Sequence, residues 1–301
     1  MSEFVFDNAS ILQWLGYYAE NTEIDLEKVK LLDITRKNKN LIPTVQANNF
    51  VMVFTEAGHN DIFYKMFNAG LGECTVVYNE GSEPTGPIYK KKLYDMINRG
   101  INASAAMLII NEDAKSTIRI GINNKLFARG SISYVTPEIR AIIMSKMMID
   151  DHKNICTISG ESIAIEAAML GGEGTVIAVE YSPRDRQTLE ESIHQFGINN
   201  ITIINDLNEE TMKELPVPDV TMLVPSPNIE QEMSYLLSLN RQMEFVIYTL
   251  DFKDAARMSE VFRDLGIGEP DIIQVSVSKL NGRNYFETLP APWIITRRPQ
   301  Q

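Results

Sequence analysis

Short apolar runs alternate along the chain with segments whose apolar side chains recur every three to four residues. The runs predict strands at Val29–Ile34, Phe50–Thr55, Cys74–Tyr78 and Ala106–Ile110, then at Asn154–Ile158, Thr175–Val179, Ile201–Ile204, Val220–Val224, Phe245–Leu250, Ile272–Ser278 and Trp293–Thr296. Amphipathic helices are predicted at Ile11–Glu20, Asn60–Ala69, Tyr89–Ile97, Pro137–Ile149, Ser162–Leu170, Pro183–Phe196, Ile229–Leu239 and Asp254–Leu265. Strands and helices in this rhythm predict an α/β protein with parallel strands and crossover helices.

Local punctuation sharpens the picture. Thr136-Pro137-Glu138 reads as a helix start, with Thr as N-cap, Pro at the first helical position and Glu in the first turn. Ser182-Pro183 repeats that logic, and Gly197 suits the C′ position after its helix. A boundary is expected near Gly121–Ser131, dividing the chain into domains 1–128 and 129–301. The later part carries two long extended runs, Asp271–Leu280 and Pro292–Arg297, with the turn-like Asn281-Gly282-Arg283-Asn284 after the first. A doubly wound, mostly parallel sheet closed by an antiparallel hairpin fits, preceded by a smaller N-terminal α/β domain. Asn154–Ile158 is expected at its centre, with Thr175–Val179 and Val220–Val224 beside it.

Composition then removes several classes of function. The 301 residues carry 40 Asp+Glu against 28 Lys+Arg, a net charge of −12. Neither a nucleic-acid binder nor a polybasic membrane contact suits such a surface. Two cysteines are too few for a disulfide framework, and three scattered histidines show no metal-ligand spacing, so no metal site is expected. No apolar window reaches the ~18–20 residues of a membrane span, and the start shows no signal peptide. A soluble cytoplasmic protein is expected. Cys156 reads as an inert core residue and Lys90-Lys91-Lys92 as one solvated helix face.

One stretch has the layout of a nucleoside site. The predicted strand Asn154–Ile158 leads into Ser159-Gly160-Glu161-Ser162 and a helix, and the next strand ends at Glu180. A loop and helix followed about twenty residues later by an acid at a strand tip can hold a ligand's acidic group and ribose. Only Gly160 remains where such loops carry several glycines, so the same residues also read as an ordinary strand-to-helix turn capped by Ser159 or Ser162.

Several ordered segments resemble the precorrin-6Y C5,15-methyltransferases (decarboxylating) of cobalamin biosynthesis. Thr136-Pro137-Glu138-Ile139-Arg140-Ala141 with Ser145-Lys146-Met147 resembles their first helix-opening motif, and Ser162–Ala168 the helix after their first strand. Val176–Glu180 with Ser182-Pro183, Phe196–Ile201, Gln274–Ser278 and Pro292–Ile295 resemble later elements. The resemblance spans most of Ser131–Arg298. It implies a class I fold that binds S-adenosylmethionine (SAM), a tetrapyrrole or corrinoid precursor as substrate, and a homo-oligomer. Asn8-Ala9-Ser10, Phe50–Thr55 with His59-Asn60-Asp61, and Val77–Glu80 resemble the back half of a tetrapyrrole-methylase domain. The front half of that domain, with its own glycine-rich SAM loop, is not expected here.

Carried over residue by residue, the resemblance implies Thr157, Ser159, Gly160, Glu161, Glu180 and Asp206 for SAM, and Thr136, Glu138 and Arg140 at the substrate mouth. The family's first loop reads approximately Asp-x-Gly-x-Gly-x-Gly. Ile155, Thr157, Ser159 and Glu161 stand at those four positions, and Val224-Pro225-Ser226-Pro227-Asn228 replaces a glycine-rich segment. SAM binding is therefore expected to be weak or lost. Three readings follow: an active corrinoid C-methyltransferase, an inactive relative that binds a partner or tetrapyrrole-like ligand, and a methyltransferase moved to another substrate.

Overall fold

The computed structural model describes residues 6–35, 39–59, 61–101, 103–115, 120–129 and 135–298. Asn60, at the start of one predicted helix, and Ser131, at the end of the predicted boundary stretch, lie outside them. Contacts divide the chain into one unit of residues 1–117 with 194–199, and a second of 118–193 with 200–301. Gly121–Arg129, assigned above mostly to the first domain, therefore belongs with the second.

The first unit contains α1 (Asn8–Asn21), β1 (Val29–Asp33), α2 (Leu41–Ala47), β2 (Phe50–Thr55), α3 (Ile62–Met66), β3 (Thr75–Tyr78), β4 (Tyr89–Lys92) and β5 (Ala105–Ile110). Asp7 caps α1 by accepting the Ser10 N–H at 2.7 Å, and Trp14 and Tyr18, one helical turn apart, form its buried stripe. Strand periodicity divides the core. Val51 and Val53 of β2 and Met107 and Ile109 of β5 face one hydrophobic cluster. Met52 and Phe54 with Ala106 and Leu108 face the other, under α1. Both faces are covered, so these strands read as continuous apolar runs.

Two expectations fail in this unit. The sheet order is β1-β2-β5-β3-β4, and only β1–β2 is parallel. The predicted helix Tyr89–Ile97 is a strand, β4, followed by a 3₁₀ turn at Leu93–Met96. Leu93 and Met96 are both buried, and their spacing of three suits that turn as well as an α-helix. Lys90, Lys91 and Lys92 thus sit on an edge strand, where charge discourages pairing with another chain.

The second unit contains α4 (Pro137–Met147), β6 (Ile155–Ile158), α5 (Ser162–Leu170), β7 (Val176–Val179), α6 (Pro183–Phe196, whose last turn falls in the first unit), β8 (Ile201–Ile204), α7 (Glu209–Met212), β9 (Val220–Leu223), α8 (Ile229–Leu239), β10 (Glu244–Thr249), α9 (Phe252–Asp264), β11 (Asp271–Gln274), β12 (Ser278–Leu280), β13 (Phe286–Thr288) and β14 (Trp293–Arg297). Its seven-stranded sheet runs β11-β14-β10-β9-β6-β7-β8. β6, β7, β8, β9 and β10 are parallel, whereas β14 is antiparallel to both β10 and β11. This is the doubly wound sheet predicted above, with β6 between β7 and β9.

The predicted extended run Asp271–Leu280 is divided. Asp271–Gln274 pairs with β14, and Ser278–Leu280 pairs with β13 in a separate ribbon. The Asn281 side chain accepts the Arg283 and Tyr285 N–H groups, and Asn284 takes φ 62°, a left-handed value Asn tolerates well. Cys156 and Ile158 of β6 pack into a core with Met233, Leu236, Met258 and Phe262 of α8 and α9. From β6 the chain runs outward through β7 to β8, then returns to β9 on the other side. That reversal makes the carboxyl ends of β6 and β9 the topological switch point, the place where doubly wound sheets bind ligands.

Candidate functional site

The β6–α5 loop leaves the carboxyl end of β6 at this switch point. Thr157 lies within β6 and is fully buried, so it is a strand residue beneath the loop. Ser159 and Glu161 both take positive φ, 56° and 29°. The conformation is thus one that glycine adopts without strain, held here by residues with side chains. A Cβ on Gly160 would lie 2.8 Å from Thr157 Cβ, so this position has no room for a larger residue.

Glu161 points into protein and is 6% exposed; Glu180, at the carboxyl tip of β7, is 1% exposed. The Glu161 N–H donates to Glu180 Oε1 at 3.0 Å. The loop amide and the strand-tip acid, both expected to face a ligand, are bonded to each other. Asp185, in the first turn of α6, is 6% exposed and lies close enough for its charge to act on both glutamates. Burial pushes the Glu161 carboxyl up to about 8, and Glu180 and Asp185 push the same way. Burial likewise raises Glu180 to about 7, against the pull of the Glu161 amide.

A further acid lies by the residues that follow β7 and β9. Glu232 of α8 is buried, and its Oε1 accepts from the Tyr181 hydroxyl at 2.7 Å and the Ser226 hydroxyl at 3.2 Å. Arg186 donates to the backbone carbonyls of Glu180 and Tyr181 at 2.8 and 3.0 Å. The sequence reading missed Asp185, Tyr181, Ser226 and Glu232. Asp185 follows Ser182 by three positions, and its N–H approaches Ser182 Oγ at 3.4 Å, so it reads as an ordinary capping acid. Glu232, in the first turn of α8, carries the same bland signal.

The other predicted residues fall elsewhere. Asp206 is exposed, and its carboxylate accepts from the Leu207 N–H and the Asn208 side-chain amide, both at 2.9 Å. Thr136 is the N-cap of α4 by backbone conformation, though its side chain makes no capping bond. Glu138 is half exposed and pairs with Lys279 at 2.5 Å, which holds its carboxyl below the usual range. Arg140, expected at the substrate mouth, is fully buried. Its Nε donates to Glu166 at 2.7 Å, and its other donors reach Asn124 Oδ1 at 2.6 Å and the carbonyls of Val135 and Ile122. Glu166 also accepts the N–H groups of Gly121 and Ile122, at 3.1 and 2.8 Å. Arg140 is a strut between α4, α5 and the Gly121–Phe127 segment, and presents no donor to the surface. Cys156 is fully buried, and burial pushes its thiol up to about 12.

No family model matches the chain, and no curated protein matches its sequence. Solved structures do share its fold. A precorrin-6Y C5,15-methyltransferase from Geobacter metallireducens is 23% identical, covering 61% of this chain and 99% of that one, with a TM-score of 0.55. A precorrin-8W decarboxylase from Methanobacterium thermoautotrophicum is 16% identical over 57% of this chain and 97% of its own, with a TM-score of 0.49. A SAM-dependent O-methyltransferase from Thermotoga maritima is 13% identical over 77% and 94%, with a TM-score of 0.46. The second unit has the Rossmann-like fold of class I SAM methyltransferases.

Proposed function

We propose that this chain is a methyltransferase-fold protein, related to the precorrin-6Y C-methyltransferases, that no longer binds SAM productively. Its role is then to bind a partner or a tetrapyrrole-like ligand, as a homo-oligomer. The observation that carries this reading is the bond from the Glu161 N–H to Glu180 Oε1 within a buried acidic cluster. A class I site holds SAM through loop amides at a helix N-terminus and through a strand-tip acid that accepts from the ribose hydroxyls. The residues here do not fit that group: the amide is spent on the acid, the acid is sealed from solvent, and Glu161 adds a carboxyl beside both.

Magnitudes support a large loss. To admit the ligand, Glu180 must give up a charge-assisted bond worth roughly 1.5–3 kcal/mol. To the extent that Glu161 is ionised it repels a ligand carboxylate ~4 Å away, by up to about 4 kcal/mol at an effective dielectric of 20, and protonated it still fills the space beside the loop amides. A few kcal/mol is a hundredfold or more in affinity. Titration calorimetry of the full chain with SAM and S-adenosylhomocysteine tests the reading. Dissociation constants above about 1 mM are expected. A micromolar constant for either overturns it and returns the assignment to an active corrinoid C-methyltransferase, the activity that the shared fold favours.

A further inference from the structure

The turn Asn281-Gly282-Arg283-Asn284 joins β12 to β13, two strands whose residues are all exposed. It holds the only Asn-Gly pair in the sequence. An asparagine side chain is an electrophile for the backbone nitrogen that follows it, because attack on Cγ closes a five-membered ring. Such an intramolecular attack avoids the cost of bringing two reactants together. Glycine in the next position hinders it least, having no Cβ.

Each reacting atom is set up for that step. Asn281 Oδ1 accepts the Arg283 N–H at 2.9 Å and the Tyr285 N–H at 3.1 Å. These donors polarise the carbonyl and stand where negative charge develops as Cγ becomes tetrahedral. Among the described residues, the Gly282 N–H and the Asn281 side-chain nitrogen donate to no group, so neither nucleophile nor leaving group is tied up. Gly282 is exposed, and a Cβ built on it would meet nothing within 4 Å, so water reaches the turn. The turn keeps its shape through Asn281 N–H to the Tyr285 carbonyl at 2.8 Å and Asn284 N–H to the Asn281 carbonyl at 3.1 Å.

We propose that Asn281 is a modification site at which the chain deamidates itself, with water as the co-reactant and ammonia as the product released. Hydroxide removes the Gly282 amide proton, and that nitrogen attacks Asn281 Cγ. The new N–Cγ bond forms, the bond from Cγ to the side-chain nitrogen breaks, and that nitrogen takes a proton from water and leaves as ammonia. Water then opens the succinimide ring. Opening at Cγ gives aspartate, and opening at the backbone carbonyl gives isoaspartate. Either product adds one negative charge to the turn. Aspartate keeps the Arg283 and Tyr285 donors, now in charge-assisted bonds. Isoaspartate lengthens the main chain by one carbon, which takes Leu280 and Phe286 out of register. The reaction therefore remodels a ribbon that carries three exposed apolar side chains, Leu280, Tyr285 and Phe286.

The test is incubation of the full chain at mildly alkaline pH in heavy-oxygen water, followed by peptide mapping with mass spectrometry. Asn281 is expected to convert at least about tenfold faster than Asn284, which shares the turn but precedes Tyr285, and to take up one heavy oxygen. The rate should rise about tenfold per pH unit, because the attacking nitrogen must first lose its proton. Gly282→Ala places a methyl in open space at a position without positive φ, so the fold is kept, and should slow the reaction about tenfold. The same chain unfolded in urea isolates the contribution of the turn. The folded chain should react at least as fast, because unfolding removes both donors to Oδ1. The proposal is overturned by an Asn281 that stays intact in the folded chain, that converts more slowly there than in urea, or that reacts as fast in Gly282→Ala.

Discussion

Arg140 and Glu166 form the pair whose removal most directly separates support from ligand binding. Both side chains are fully buried, and Glu166 accepts from the Arg140 Nε and from two backbone amides. Glu166→Ala leaves a guanidinium without its counter-charge, at about 3–5 kcal/mol. It also orphans the buried Ile122 N–H, at about 1–3 kcal/mol. That sum approaches the whole stability of an ordinary domain, about 5–15 kcal/mol, so the alanine variant is expected to be largely insoluble. Glu166→Gln is the measurable probe. It keeps one acceptor oxygen but loses the counter-charge, and should cost about 3–5 kcal/mol, the range for breaking a buried ion pair, without the added cost of the orphaned amide. The assay is urea unfolding followed by circular dichroism, with the slope unchanged and the midpoint lowered. Arg140→Met alone and with Glu166→Gln completes a double-mutant cycle, and a coupling of at least about 2 kcal/mol is expected. A cost below about 1 kcal/mol for Glu166→Gln, or no coupling, refutes the strut and reopens a ligand role for Arg140.

Restoring the loop is a second perturbation. Ser159→Gly with Glu161→Gly relieves two positive-φ positions and removes the buried acid, and calorimetry should show SAM affinity raised at least tenfold over the unmodified chain provided Glu180 is kept. Unchanged affinity would mean that the loop is not what excludes SAM. Thr157 is left in place, because it is a buried strand residue whose replacement by glycine would cost stability. Gly174→Ala would put a Cβ 1.9 Å from the Lys153 carbonyl oxygen, and is expected to lower the melting temperature by several degrees, on the order of 2 kcal/mol; an unchanged melting curve would contradict that contact. Glu138→Gln, by contrast, removes a half-exposed partner of Lys279 and should change stability by less than about 0.5 kcal/mol in the same assay.

Local pattern alone determines much of this protein. The apolar runs behind β6, β7, β9 and β10 read as strands because their buried side chains need a sheet covered on both faces, and the tight α4 and α6 starts follow from Thr136-Pro137 and Ser182-Pro183. The doubly wound order in the second unit was legible from alternation and from the resemblance. Tertiary structure decided what periodicity cannot encode. An i, i+3 pair such as Leu93 and Met96 serves a 3₁₀ turn as well as a helix, and only pairing with β3 makes Tyr89–Lys92 a strand. The site was legible in its parts, the Ser159–Ser162 loop and the Glu180 tip, but not in its state. Glu161, Glu180 and Asp185 each carry an unremarkable local signal at a turn, a strand end and a helix start. Their meeting depends on β6 and β7 lying side by side, which brings residues distant in sequence into one buried volume where their charges cannot all be kept.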